Sequence, residues 1–416
     1  MLRNHLIYTT YCDWRLNIKK AEGSHLWTDD GKQLIDFATG WNVANLGWNH
    51  PEVMEAVLGV TKEKTYGSLW MGNATRDQYA KALTDALPGE LSAVGPATGG
   101  TEANEEALKS ARAFTRRKKL IGLAPAYHGQ SFGSMAIGTP PEYVSDIGPL
   151  VPDFVQLDYP DTYRSKQSPE ELLESFVEKL EEVLKKEDVA AMITETGVVT
   201  GEGNMALAPP GYLTRVRELT KKYGTLLIVD EVGTGFSRTG KLFGVEHENV
   251  EPDIMTFAKG QSNGAAPLGA MVARTDIAER IYDKANITST YGWLPGPCAA
   301  GLKTLEVHQR DKVWEQAAEN GEYLVKSLRE QLADHPLVDD VRGVGMLVGI
   351  DIVKDKQDKE THAEAGASVR EEALKRGLHV PPGMTGTIQL MPPLTIERDV
   401  LDEGIEILVD VIKEAK

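Results

Sequence analysis

The chain has 416 residues, 41% hydrophobic and 26% charged, as expected for a soluble globular protein with a large domain and a smaller one. Sixty-two acidic residues against 45 lysines and arginines give a net charge of −17, which argues against nucleic-acid binding as the main function. With only two cysteines, neither a disulfide framework nor a CxxC metal pair is expected, and no metal site is predicted.

The amino-terminal segment, MLRNHLIYTTYCDWRLNIKK, lacks a cationic head followed by a continuous apolar stretch, so we expect no signal peptide. No window approaches the roughly 20 apolar residues that a membrane span requires. Because cysteines are also scarce, a reducing compartment is favoured. These features predict a cytoplasmic protein without a membrane partner.

Two glycines, Gly99 and Gly100, precede a predicted helix in GPATGGTEANEEALKSARAF, where Thr101 is expected to cap the helix. The amino end of a helix offers free N–H groups and a positive dipole end to a phosphate. Glu102 suits the dipole but would repel a phosphate, so we expect its side chain to point elsewhere. An ordinary capped turn would show the same pattern, and no Walker sequence follows.

Short apolar runs in the middle of the chain alternate with amphipathic stretches, which predicts a parallel α/β sheet. The runs cover residues 120–124, 226–229 and 254–258, with a further run ending near Glu195. Residues 209–224 carry the start and stop signals of a helix.

Functional residue types follow these runs, at the edge where open parallel sheets bind ligands. Tyr127 and His128 follow the first run, and Glu195, Asp230 and Lys259 follow the others. Each residue alone could simply end a strand at the solvent, but together they favour one crevice.

The chemistry of this set suits pyridoxal 5'-phosphate. A desolvated Lys259 can form a Schiff base, although it could instead only pair with an acid. Asp230 can hold a protonated ring nitrogen. Tyr127 can stack on the ring with Val232 on the opposite face, although Tyr127 could also be a core aromatic.

Several motifs resemble those of class III aminotransferases, the ω-aminotransferase branch of the fold type I pyridoxal-phosphate enzymes. LIVDEVGTGFSRTG is followed by PDIMTFAKG, and Lys259 follows Asp230 by 29 residues. The segments GWNVANLGWNHPEV, GGTEANEEALKSAR, AYHG and LMPPLTI resemble other landmarks of the family in the expected order. The resemblance therefore runs over nearly the whole chain.

The resemblance implies a role for each site residue. Lys259 would hold the cofactor and move a proton at the substrate carbon, Asp230 would bind the ring nitrogen, and Glu195 would lie near the ring hydroxyl. The remaining residues that it implies for the cofactor contact the phosphate or the ring: Gly99, Gly100, Thr101, Tyr127, His128, Val232 and Thr290.

Two of the implied roles concern the pocket and the partner subunit. Thr290 resembles a threonine that reaches the phosphate from the neighbouring subunit, so the resemblance implies a homodimer with shared active sites; a higher oligomer stays open. Trp41 matches a position that borders the substrate pocket, although a packing tryptophan is nearly as well supported.

The implied fold is α/β, with a mostly parallel, mixed seven-stranded sheet flanked by helices and a smaller α+β domain. Residues 44–289 would form the large domain. Residues 1–43 would join the small domain, and residues 290–416 would supply a linking segment and the rest of it.

The implied reaction is ping-pong transfer of an amino group from an amine or ω-amino acid to a 2-oxo acid, pyruvate or 2-oxoglutarate. A decarboxylase, aminomutase or racemase on the same fold remains open. So does a non-catalytic binding protein in which Lys259 only pairs with Asp230. The strand GTIQLMPP has no arginine for a substrate carboxylate, so the sequence leaves the donor open.

Overall fold

The computed structural model describes residues 2–3, 6–7, 16–199, 201, 205–383 and 385–415. Cys12 and most of the first 15 residues, which begin the predicted amino-terminal part of the small domain, lie outside the described residues.

The elements follow in chain order. The strands are β1 (Leu2–Arg3), β2 (Leu6–Ile7), β3 (Ile18–Glu22), β4 (His25–Thr28), β5 (Gln33–Asp36), β6 (Leu91–Ala97), β7 (Lys119–Ala124), β8 (Phe154–Asp158), β9 (Val189–Thr194), β10 (Val198–Val199), β11 (Ala206–Leu207), β12 (Leu226–Asp230), β13 (Ile254–Phe257), β14 (Gly269–Arg274), β15 (Val338–Val344), β16 (Leu347–Asp355), β17 (Glu360–Thr361), β18 (Leu378–His379) and β19 (Thr387–Leu390). The helices are α1 (Thr39–Asn42), α2 (Pro51–Glu63), α3 (Ala74–Ala86), α4 (Gly100–Thr115), α5 (Phe132–Gly138), α6 (Pro169–Leu184), α7 (Tyr212–Lys222), α8 (Thr275–Ile281), α9 (Pro295–Arg310), α10 (Val313–Leu332), α11 (Ala363–Lys375) and α12 (Arg398–Glu414). Short 3₁₀ helices cover Pro141–Val144, Gly244–His247 and Lys259–Ser262.

A seven-stranded sheet in the order β6-β14-β13-β12-β9-β7-β8 forms the centre of the molecule. Strand β14 runs antiparallel to both of its neighbours, and the other pairs are parallel. The mostly parallel, mixed seven-stranded sheet predicted from the sequence is therefore confirmed. The predicted runs at 120–124, 226–229 and 254–258 fall on β7, β12 and β13.

Helices cover both faces of the sheet because successive side chains of a strand point to opposite faces. Leu226 and Ile228 of β12 pack in the apolar cluster that includes helix α4. Leu227 and Val229 pack in the cluster that includes helices α6 and α7. Helix α7 begins after Gly211 and ends before Gly224, inside the helical segment predicted at 209–224.

Two smaller four-stranded sheets lie outside the central sheet. One joins β15, β16, β17 and β19. The other has the order β18-β5-β4-β3, so a strand from the last forty residues pairs in parallel with one near the amino end. The large- and small-domain boundaries at residues 43 and 289 stay predictions. Within the described part of the chain, no helix is both long and apolar enough to cross a membrane.

Candidate active site

Three neighbouring strands bring the central candidates to one edge of the sheet. Strands β9, β12 and β13 are adjacent and parallel, so their carboxyl ends meet. Glu195 directly follows β9, Asp230 ends β12, and Lys259 lies two residues beyond β13. Lys259 has a left-handed backbone (φ 47°) and opens a 3₁₀ helix, so the chain turns sharply at this residue.

Asp230 is buried and accepts hydrogen bonds from three directions. Its Oδ2 lies 2.7 Å from Nδ1 of His128 and accepts from the side-chain amide of Asn104 at 2.8 Å. Its Oδ1 accepts from the backbone N–H of Val232 at 2.9 Å. Three donors therefore hold the carboxylate in one orientation.

Asn104 is a site residue that the sequence reasoning missed. It lies on α4 and donates to both Asp230 and the carbonyl of His128 (2.8 Å each). Its own Oδ1 accepts from the hydroxyl of Thr256 at 2.6 Å. Asn104 falls on the same helix face as Ala107 and Ala111, so a polar residue on an apolar face was the available signal.

Lys259 lies beside two carboxylates. Burial lowers the pKa of its ammonium group, and the nearby carboxylates of Glu195 and Asp230 raise that pKa only in part. A lowered lysine pKa increases the share of the neutral amine, the form that attacks a carbonyl.

Glu231, which directly follows Asp230, has its hydrogen-bond partners in a different part of the structure. It is buried and accepts from the hydroxyl of Thr234 at 2.6 Å and from the backbone N–H of Val245 at 2.9 Å. Burial raises the pKa of Glu231 to about 7 despite these hydrogen bonds. Glu231 thus anchors the 3₁₀ helix Gly244–His247 to the end of β12.

The start of α4 forms the floor of an open groove. Gly99 is the N-cap residue in extended conformation, and a Cβ added to it would meet open space. A Cβ on Gly269 would lie 2.6 Å from the carbonyl oxygen of Gly99, so β14 supports this turn at close range. The prediction that Thr101 caps the helix is wrong: Thr101 lies inside α4, and its hydroxyl accepts from the N–H of Gln130 at 3.4 Å.

Glu102 is among the residues that line the groove, and its carboxylate bonds back to Thr98; that it points away from a bound phosphate stays a prediction. Its Oε2 accepts from the backbone N–H and from the hydroxyl of Thr98 at 2.6 Å each. Burial raises the pKa of Glu102, but hydrogen bonds from Thr98 and Ser289 outweigh burial and leave the pKa below its ordinary value. Glu102 therefore ties the segment that carries Thr290 to the start of the helix.

Residues outside α4 also line the groove. Thr290 lines it from the same chain, so its contribution across a dimer interface stays a prediction. The residues lining the groove are Thr98, Gly99, Gly100, Thr101, Glu102, Glu105, Ser131, Ser289, Thr290 and Tyr291.

Two of the predicted ring neighbours, His128 and Val232, hydrogen-bond to Asp230. A Cβ on Gly100 would lie 3.1 Å from both methyl groups of Val232, so Val232 adjoins the floor of the groove. His128 is buried and bonds to Asp230. Tyr127 is 40% exposed, which contradicts the alternative of a core aromatic and leaves its ring accessible. Stacking by Tyr127 stays a prediction.

Trp41 lies in a left-handed turn. Thr39, Gly40, Trp41 and Asn42 have φ values of 46°, 62°, 71° and 63°. Such a run is strained in residues other than glycine, and strain of this kind concentrates at functional sites. The half-buried Trp41 packs against a cluster formed by Val198, Met205, Leu347 and Met391, so packing accounts for part of its environment.

The model of the family "Aminotransferase class-III" matches residues 9–412. The chain belongs to the class III aminotransferases. Its sequence is 33% identical to the acetylornithine aminotransferase of Methanopyrus kandleri over 404 residues, which cover 97% of this chain and 96% of that protein.

Two solved structures resemble this aminotransferase over nearly its whole length. An (S)-enantioselective ω-transaminase from Thermomicrobium roseum has a TM-score of 0.91 and 33% identity, covering 98% of this chain and 96% of that one. An amine transaminase from an uncultivated Pseudomonas species, solved with pyridoxal phosphate bound, has a TM-score of 0.93 and 29% identity, covering 98% and 97%.

The cofactor of this aminotransferase is pyridoxal 5'-phosphate, and the site fits it. Among the described residues no lysine or arginine pairs with Asp230, so a protonated ring nitrogen can be its cation. Side chains at Gly99 and Gly100 would narrow the groove in front of the helix start, where a phosphate would find N–H donors.

Proposed function

We propose that this pyridoxal-phosphate-dependent aminotransferase moves an amino group from an amine or ω-amino acid to a 2-oxo acid, pyruvate or 2-oxoglutarate, in a ping-pong reaction. The observation that carries the proposal is that Lys259 and the buried, triply hydrogen-bonded Asp230 lie at the carboxyl ends of the adjacent parallel strands β13 and β12, where burial lowers the pKa of Lys259. Nucleophile and ring anchor occupy the ends of adjacent strands.

Each residue of the set has a chemical task. Pyridoxal phosphate, when bound, supplies an aldehyde and an electron-withdrawing ring that stabilises negative charge on the neighbouring carbon. Nζ of Lys259 would hold the cofactor through its aldehyde and would take and return a proton at the substrate carbon. The carboxylate of Asp230, held in one orientation by three donors, would bind the protonated ring nitrogen.

The other predicted residues orient the cofactor. Gly99, Gly100 and Thr101 present the start of α4 to the phosphate. Val232 and Tyr127 would cover the two faces of the ring. The buried Glu195 adds negative charge near Lys259, which favours protonation of that amine after each proton transfer.

The proposal is tested with the purified protein, pyridoxal phosphate, an amine donor and pyruvate. The wild type develops a visible absorbance band and forms alanine. Lys259→Ala abolishes both, whereas the exposed-lysine control Lys221→Ala keeps both. A band without alanine would contradict transamination, as would carbon dioxide or an inverted amino acid as the product when an amino acid replaces the amine. Wild-type absorbance that does not depend on Lys259 would contradict the assignment of the nucleophile.

The donor is proposed from the relatives and from the chain itself. The Methanopyrus relative is named for acetylornithine, and the Thermomicrobium neighbour is described as an (S)-selective ω-transaminase. In this chain β19, the strand where some relatives place an arginine for a carboxylate, has none. We therefore propose a donor panel that compares uncharged amines with ω-amino acids. The cytoplasmic location stays a prediction.

We also propose that the protein is a homodimer with the groove at its interface. Tyr291 follows Thr290, and its ring meets that of Tyr66 edge to face at 6.2 Å. Trp70 and Met71, which follow Tyr66 by four and five residues, are 83% and 50% exposed. Clustered exposed aromatics are typical of subunit interfaces.

Light scattering after size exclusion tests the dimer. The wild type is expected at twice the mass of the chain, and Trp70→Ser together with Tyr291→Ser is expected to weaken the dimer. The control Tyr282→Ser removes an equally exposed aromatic, 90% exposed, and should leave the mass unchanged. A monomeric wild type that binds pyridoxal phosphate with full affinity would contradict a shared site.

A further inference from the structure

We propose that Thr256 is a positioning residue that acts through Asn104 on Asp230 and so sets the strength with which the ring nitrogen is held. This inference rests on the proposed role of Asp230. The two residues join the active site although neither follows the end of a strand and neither is among the residues that line the groove.

The chemistry of the partners fixes the orientation of the Asn104 amide. One end of the amide faces Oδ2 of Asp230 and the carbonyl oxygen of His128, at 2.8 Å each. Both partners are acceptors only, so this end must be the NH₂ group. The opposite end is therefore the oxygen, and the hydroxyl of Thr256 must be its donor at 2.6 Å.

Thr256 itself is held firmly. It is fully buried on β13 and is the register partner of Asp230 on β12. Its carbonyl accepts the backbone N–H of Glu231 at 2.9 Å, which ties β13 to the residue after Asp230. Because a β-branched side chain has restricted χ1 rotamers, the hydroxyl is directed at Asn104 by the strand.

Without the hydroxyl, neither orientation of the Asn104 amide satisfies all of its neighbours. A flipped Asn104 would present its oxygen to the carboxylate of Asp230, where two acceptors repel each other. In the original orientation, the amide oxygen would be buried without a donor, which is costly. In either orientation the hydrogen bond from Asn104 to Asp230 is weakened or lost. The carboxylate then holds a cationic ring nitrogen less strongly.

The matched pair Thr256→Val and Thr304→Val tests this inference on the full-length protein. Both substitutions replace a buried hydroxyl by a methyl group of similar size. The hydroxyl of Thr304, on α9, has no hydrogen-bond partner among the described residues, so it controls for the loss of a buried hydroxyl alone. Thr256→Ser keeps a hydroxyl and serves as the rescue variant.

Two measurements report on the ring nitrogen. The dissociation constant of pyridoxal phosphate, titrated into the apoprotein, is expected to rise about five- to tenfold in Thr256→Val. The pH midpoint, at which half of the visible absorbance is lost, is expected to rise, because this absorbance depends on a proton bound at Nζ of Lys259. If the ring nitrogen is held less firmly as a cation, it repels this proton less, so the proton is lost at a higher pH. Thr256→Ser should return both quantities towards the wild type.

The inference is overturned if Thr256→Val and Thr304→Val have the same affinity and the same midpoint, or if Thr256→Ser behaves like Thr256→Val. A fall in melting temperature without a change in the midpoint would show a merely structural role and would also overturn it. If Thr256→Val does not fold, Thr256→Cys, with its weak S–H donor, replaces it with the same expected direction. A wild type that forms no band at all would instead refute the proposed function.

Discussion

The two acids that end and follow β12 have opposite surroundings although they are neighbours in the sequence. Asp230 draws its donors from α4, from the loop after β7 and from its own turn, and it lies near Lys259. Glu231 draws its donors from the turn that follows, through Thr234 and Val245. Among the described residues, neither acid pairs with a lysine or an arginine. The comparison teaches that a buried acid that forms no ion pair with lysine or arginine can either bind a ligand or anchor a turn.

The largest expected difference between Asp230 and Glu231 is in catalytic activity. Asp230→Asn removes the charge that keeps a ring nitrogen protonated, and we expect kcat to fall on the order of 10²- to 10³-fold. Glu231→Gln keeps an acceptor for Val245 and should change kcat less than about twofold. Single-turnover rates with saturating cofactor measure both. Equal losses in the two variants would show that the acids are not functionally distinct.

A smaller effect is expected on the stability of the folded protein, through the pKa of Glu231. The pKa of Glu231 rises from an ordinary 4.5 to about 7 in the folded protein, so the folded state binds more protons than the unfolded state between these values. The free energy of unfolding therefore falls by about 3 kcal/mol as the pH rises from below 5 to above 7. Glu231→Gln lacks this loss and should melt higher than the wild type at pH 8 but not at pH 5.

Thermal melts at both pH values measure this difference. A constant difference between variant and wild type from pH 5 to pH 8 would contradict the raised pKa of Glu231.

The smallest effect concerns the donor to Glu231. Thr234→Val removes the 2.6 Å hydrogen bond, and the free energy of unfolding should fall by about 1 kcal/mol. That bond lowers the pKa of Glu231, so its removal raises the pKa further and the loss should be greater at pH 8 than at pH 5. Denaturant titrations check this, with Thr304→Val as the control. A loss independent of pH would mean that the hydroxyl does not bind the carboxylate.

Much of the fold could be predicted from the sequence because it follows from local patterns. Apolar runs predicted β7, β12 and β13, and start and stop signals predicted α7. Parallel topology then placed the residues at the strand ends along one edge, which is why Asp230 and Lys259 were found.

The missing parts of the site depend on contacts that no local pattern encodes. Thr256 lies inside an apolar strand, where threonine is an ordinary strand former. Asn104 becomes informative only when α4 is known to bury it against β12 and β13. The cap assigned to Thr101 was wrong because the glycine before the helix takes the N-cap position itself, and nothing in the sequence distinguished the two registers.

The pairing of β5 with β18 has a consequence for synthesis of the protein. Asp36 of β5 binds His379 of β18 at 2.7 Å across 343 residues of chain. At about 5–20 residues per second, a ribosome adds those residues over tens of seconds. During that interval one edge of β5 has no β18 strand to pair with. Bare strand edges invite aggregation, so the amino-terminal strands are where a chaperone would be needed first.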